Sequence, residues 1–351
     1  MGKVTFTEAE LASAAIKNRK KLLMLPILGL AETAAHMTGR PGIRYAERVG
    51  ELVGDAQFAP YNPKNRTDLS PELKTRLLKT YFGSVVADFE PNSVVSTIYG
   101  SMGATKGDGQ MKTPVALDVL ALVAKRLGHN LNAHIWDAKR NADGKKTVDL
   151  FDGFDTITAQ EITAGNIATD KKNLIEIDAV TSDNAVEVAK AIVSAMSPEL
   201  RAQDCNLYCS YEFLDLYNAN YQKVVGAVPY NQQYENQYVE GSGKRLKFVP
   251  LSNKAGSSFL HASPAENMLL GYDQMSDDEN VLVKEYDPFV LSYVATMFFG
   301  TQFESIDPRR LIVAKIGAKA AGGKGDTGDT TDSKGEGGSD AGSTGTESQT
   351  E

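Results

Sequence analysis

The sequence predicts an α+β fold, on three observations. Residues 113–136 carry apolar side chains at helical spacing, which predicts one long helix. Residues 160–280 alternate short β-branched segments with amphipathic ones, which predicts mixed strands and helices. The run "VLVKEYDPFVLSYVATMFFGTQF" at 281–303 is β-branched, aromatic and apolar on both faces. A strand of that kind belongs at the centre of a sheet or beneath a neighbouring subunit.

In chain order, the first expected element is a helix over 7–25. Thr7 and Glu10 form a capping box, and Pro26 stops the pattern. Lys17, Arg19, Lys20 and Lys21 gather toward its C-terminal end. They complement the helix dipole there or form a basic arm touching nucleic acid or an acidic partner. Residues 37–72 are rich in Gly, Pro, Asn and Arg, with weak periodicity and one short helix expected at 44–53. A stretch so long and irregular suits an arm lying on another surface. A helix is expected over 71–82, capped by Ser70. A strand in "SVVADFE", a turn at Glu90-Pro91-Asn92, a returning strand and the Gly-rich "GSMGATKGDG" follow as a projecting hairpin.

The long helix opens at Thr113-Pro114 and carries Leu120, Val123, Leu127 and Leu131 on one face, ending near Trp136. Turns and short extended pieces are expected through "DAKRNADGKKTVDLFDGFDTIT". Strands are expected at 173–180, 206–210, 245–251 and 267–273. Helices are expected after Asn184, carrying Val188, Ile192 and Met196, and after Ser210, carrying Phe213, Leu214, Tyr217 and Tyr221. The 281–304 run and "RLIVAKI" complete the sheets.

Composition narrows the function. The chain has 351 residues and a formal net charge of −8. Half of that excess lies in the tail from Ala318, which holds seven acids and three lysines. Beyond Ile316 there is no aromatic residue and no Leu, Ile, Val or Met, so disorder is expected over 318–351. The remainder is mildly acidic, unlike a dedicated nucleic-acid binder. Cys205 and Cys209 make no disulfide framework and predict a reducing compartment. "MGKVTFTEAELASAA" lacks a secretory pattern, and Phe6 breaks the myristoylation pattern. "YVATMFFG" is far shorter than the ~20 residues of a membrane span, so no membrane partner is expected.

No coherent catalytic set emerges, and no catalytic, cofactor-binding or metal-binding residue is assigned. His36, His129, His134 and His261 are scattered, and His129 and His134 are five apart, wrong for one helix face. Cys205 and Cys209 read as buried small hydrophobes, with a thiol nucleophile as the alternative. "GSGKR" at 241–245 fails the phosphate-loop pattern at Tyr238 and Arg245 and reads as a turn between strands. "KRNADGKKTVDL" has Lys139 and Leu150 where a calcium loop needs ligands.

The order of elements resembles the major capsid protein of tailed bacteriophages, with the Hong Kong 97-type fold, over residues 66–316. The resemblance rests on "TPVALDVLALVAKRLGHNL" as the spine helix and on "ADG" and "FDGF" in the turn after it. It rests further on "NLYCSYEFLDLYNANY" as an axial strand and helix, and on "VLVKEYDPFVLSYVATMFFGTQFESIDPRRLIV" as closing strands. It implies an N-terminal arm (1–65), an extended loop and lead-in (66–112), and a peripheral domain with the spine helix (113–157). An axial α/β domain (158–280), closing peripheral strands (281–317) and the tail (318–351) complete it. It also implies a structural, non-enzymatic subunit without cofactors. Such subunits form hexamers and pentamers that close an icosahedral virion head around double-stranded DNA, assembled in the bacterial host cytoplasm. Separate scaffold, portal and decoration proteins are the implied partners. A protein nanocompartment shell sharing the fold is the alternative, and a Cys-dependent enzyme is a third reading.

Overall fold

In the computed structural model the chain is described over residues 30–53, 72–89, 112–226, 237–273, 281–287 and 290–317. The expected 7–25 helix, the 90–92 turn with its returning strand, the 100–109 loop and the tail lie outside these residues. A short helix α1 (Ala31–Ala34) leads to strands β1 (Thr38–Pro41), β2 (Ala46–Val53), β3 (Glu72–Lys79) and β4 (Tyr81–Phe89). Helix α2 (Lys112–Ala133) follows, then α3 (Phe154–Thr163), β5 (Leu174–Ile177), α4 (Ala185–Ala195), α5 (Pro198–Arg201), β6 (Cys205–Cys209) and α6 (Tyr211–Val225). Strands β7 (Leu246–Pro250), β8 (Phe259–Ser263), β9 (Met268–Tyr272), β10 (Val281–Asp287), β11 (Val290–Phe303) and β12 (Ile312–Ile316) close the order.

The late apolar run is a central strand, as its two apolar faces predict. β11 pairs on both edges: Ala295 faces Val85 of β4 and Val281 of β10, and Phe299 faces Tyr81 of β4 and Tyr272 of β9. Thus β4 lines one edge of β11, while β10 and β9 follow one another along the other. β1 adds to β9 in parallel and completes a five-stranded sheet.

A second sheet has the order β5-β12-β8-β6-β7. Both of its faces are covered, and strand parity decides which side chain goes where. On β12, Ile312 and Ala314 join one core with Val186, Ile192 and Phe213 from the flanking helices α4 and α6. Val313 points the other way, into a core with Trp136, Phe154, Phe299 and Phe303. "LIVA" is therefore a continuous apolar run because neither face meets water.

The long helix is present as α2. From Ala124 on, its buried residues recur at Ala124, Gly128, Leu131 and Asn132, one face of a 3.6-residue period. Ser210 caps α6 as expected, its hydroxyl accepting from the Phe213 amide at 3.2 Å. Asn184 does not cap α4. Its amide turns back to Thr181 and Ala179, and the α4 amide of Val186 is taken by Asn220 of α6 at 2.9 Å. A cap borrowed from another helix leaves no local signature.

Two expected helices are strands. Residues 46–53 and 72–79 form an antiparallel ribbon, Ala46 opposite Lys79 through Val53 opposite Glu72, and residues 81–89 continue as β4. Helix propensity in "ELKTRLLK" yields to tertiary pairing. Leu78 buries itself against Ile43, Val49 and Leu269, while Leu73 and Leu77 stay exposed, as strand parity requires. Helix α3 was expected as turns. Its first amides are satisfied by carbonyls at the end of α2: Phe154 donates to Ile135 and Asp155 to Trp136, at 3.1 and 3.0 Å. Gly153 permits this approach, since a Cβ there would lie 2.4 Å from the Trp136 carbonyl oxygen. β8, between β12 and β6, was also unforeseen.

Candidate assembly surface and buried charge cluster

The registers place one set of side chains on the outer face of the β4–β11 pair. Phe82 lies opposite Phe298, Ser84 opposite Thr296 and Val86 opposite Val294. Their neighbours Tyr81 and Val85 are half-buried. Phe82 and Val86 are 55% and 62% exposed. Tyr45 joins them, its ring 5.2 Å from Phe298, which lies 5.0 Å from Phe82. Tyr45 is 73% exposed and sits at φ 74°, a conformation that a bulky residue rarely adopts. Beside it, the β2–β3 ribbon exposes Leu73 and Leu77. Among the described residues, β4 has no strand on its outer edge. An apolar strip next to an open strand edge is the kind of surface that another protein covers.

The ribbon is anchored. Arg76 donates to Glu161 of α3 at 2.6 Å and to Gln302 of β11 at 3.1 Å, and the Gln302 amide donates to the Leu77 carbonyl. Lys74 reaches Asp307 at 3.5 Å. A hydrogen bond from Arg309 holds the Asp307 carboxyl below its ordinary range. These ties hold the ribbon against α3, β11 and Asp307.

A second site lies inside. Lys254, 1% exposed, sits in a turn after β7 and donates to Asp155 Oδ1 of α3 at 2.9 Å. Its other neighbours are Ser257 Oγ and His261 Nδ1, both at 3.3 Å, and the Trp136 ring lies 3.6 Å away. The ammonium's three protons thus meet three acceptors and one aromatic face. Ser257 donates to Asp155 Oδ2 at 2.6 Å. His261 on β8 has Nε2 2.9 Å from Thr158 Oγ1. Burial pushes Lys254 down, against the pull of Asp155, and pushes His261 well down, with Lys254 adding to that effect. Trp136 Nε1 donates to Asn253, which also bonds Asn132 and Thr33.

A cavity of about 650 Å³ opens beside this cluster, lined in part by His129, Asp137, Asp155, Ser257 and Phe259. Ser257 is committed to Asp155 and to the Phe259 backbone, so its hydroxyl serves the turn.

The residues flagged in the sequence do not converge. Cys205 and Cys209 are buried on β6, and burial pushes both thiols up to about 12. They bond the Leu200 and Val249 carbonyls, a setting that leaves almost no thiolate at neutral pH. His134 pairs with Asp137 at the end of α2, His36 is half-buried and His129 is exposed. "GSGKR" is a tight turn before β7, with Gly241, Gly243 and Lys244 all at positive φ. In "NADGKKTVD" Asn141 and Asp149 bond loop amides, and among the described residues no acidic, His or Cys cluster could hold a metal. Lys254 is not singled out by the sequence, and His261 stands there only among scattered histidines, because their partner Asp155 is remote in sequence.

Comparison with known proteins returns no matching family model and no matching curated protein. Solved structures do match. A chain of the satellite phage P4 procapsid, which includes the size determination protein, superposes with a TM-score of 0.55 at 12% identity, covering 84% of this chain and 90% of that one. A chain of the cyanophage A-1(L) capsid superposes at 0.50 with 13% identity, covering 84% and 93%. A virus-like particle from Pyrococcus furiosus reaches 0.41 at 9% identity, covering 84% and 98%. The chain has the fold of phage capsid proteins.

Proposed function

We propose that this chain is the major capsid protein of a tailed phage. Copies assemble into hexamers and pentamers that close an icosahedral head around double-stranded DNA. The observation that carries this reading is the likeness to the P4 procapsid chain over 90% of its length. Exposed Tyr45, Phe82 and Val86, gathered around half-buried Phe298, support it, because a shell subunit must offer apolar surface to its neighbours. Heterologous contacts of this kind close into rings. In this reading 1–65 is an arm, 66–112 an extended loop, 113–157 and 281–317 the peripheral domain and 158–280 the axial domain. Head assembly takes place in the bacterial host cytoplasm, with scaffold, portal and decoration proteins supplied separately.

Negative-stain electron microscopy of the purified chain, alone and co-expressed with its neighbouring genes, tests the proposal. Closed polyhedra or five- and six-fold capsomers are expected. A uniform monomer under every condition would overturn it. Shells holding a protein cargo in place of DNA would identify a nanocompartment instead.

A further inference from the structure

The buried cluster ties four elements together: Trp136 at the end of α2, Asp155 and Thr158 on α3, Lys254 and Ser257 in the 252–257 turn, and His261 on β8. We propose that it is an acid-sensitive clamp. Protonation of His261 turns the Nδ1 acceptor of the Lys254 ammonium into a donor, and α3 and the 252–257 turn then part from β8.

The argument is geometric. Lys254 has only donors, so His261 Nδ1 must accept from it at 3.3 Å, and the ring proton lies on Nε2, facing Thr158. This fixes one neutral tautomer. A second ring proton could sit only on Nδ1, against the ammonium. The groups around His261 offer one anion to receive it. Asp155 Oδ1 is 3.8 Å from Nδ1 and already holds Lys254, while Ser257 occupies Oδ2. From α2 comes the Trp136 ring, from β11 the Phe303 ring and from β8 itself Phe259, all uncharged. From β6 come Tyr208, opposite His261 in the sheet register, and the Cys209 thiol, whose field reaches Lys254; both are neutral. Two cations and one carboxylate cannot share a dry site cheaply, so the proton enters when the clamp opens.

The sign follows from linkage. His261 is held below its ordinary range by burial, so its contribution is complete above pH ~6.5 and is lost as pH falls below that value. One proton taken up on opening raises the opening equilibrium about tenfold per pH unit. Neutral-pH particles would carry the clamp shut, and acidified ones would carry it open. The inference concerns the folded subunit and does not depend on its forming a shell.

Hydrogen–deuterium exchange of the full-length chain between pH 7.5 and 5, corrected for intrinsic rates, tests it. Uptake in peptides spanning 154–163 and 252–258 should climb about tenfold per unit below pH ~6.5. His261→Asn retains an acceptor facing Lys254 and cannot titrate, so it should be flat across this range, whereas Asp155→Asn should keep the step. A flat wild type or a step surviving in His261→Asn would each overturn the clamp. Should His261→Asn fail to fold, histidine-labelled wild type decides. A His261 ring signal moving with the exchange step supports the proposal, and one unmoved through it refutes it.

Discussion

Lys254 shows how much one residue can hold. Its ammonium is removed from water, an arrangement that is costly unless every proton finds a partner. Here all three do, and the Trp136 face covers the fourth side. Lys254→Met keeps the aliphatic stem and strands the Asp155 carboxylate in a mostly enclosed site. The expected loss is about 3–5 kcal/mol, as for other buried pairs broken on one side. Urea unfolding at pH 7.5 measures it, and a change below about 0.5 kcal/mol, the range of neutral surface substitutions, would show that the pair is not structural. None of this was legible in "SNKAGSSFLHAS", a stretch in which the sequence reading places no element. Asp155 lies 99 residues before Lys254, and Thr158 lies 103 before His261. The thiols were legible, because buried cysteines on an apolar strand follow from local pattern alone.

At the scale of elements, sequence periodicity located those whose own residues carry the apolar pattern, whatever they pack against. α2, α4 and α6 carry their apolar stripes openly, and β11 announces its central place by being apolar on both faces. The elements that went unseen are those completed from elsewhere. α3 takes its cap from α2 carbonyls, and β3 exists because β2 pairs with it. The crossing of β3–β4 over β11 makes a test. Gly300 passes the Lys79 carbonyl so closely that a Cβ would lie 2.0 Å from its oxygen, and backbone cannot swing aside as a side chain can. Gly300→Ala should therefore push the ribbon off the sheet, at a cost of about 1–3 kcal/mol. Thermal unfolding checks the cost, and faster amide exchange in 76–82 checks the place. Unchanged melting would mean that the ribbon yields without strain.

For the whole molecule, the surfaces that stabilise the subunit differ from the one proposed to assemble it. The two cores enclose both faces of the second sheet, and the buried cluster links the helices to it. Tyr45, Phe82 and Val86 contribute little to either, because their side chains remain largely in water. Phe82→Glu with Val86→Glu should accordingly leave the monomer's unfolding midpoint nearly unchanged, within about 0.5 kcal/mol for each exposed site. In a shell the same two carboxylates would be driven into an apolar contact without partners, at a cost of several kcal/mol per interface. Repetition around a ring multiplies that cost, so closed particles should vanish while a folded subunit persists. Sedimentation velocity and electron microscopy of the double variant read both halves of this expectation. Loss of shells from a subunit of normal stability would locate the assembly contact on the β4–β11 face. Normal shells would move it elsewhere, with the β4 edge, unpaired among the described residues, and the ribbon residues Leu73 and Leu77 next in line.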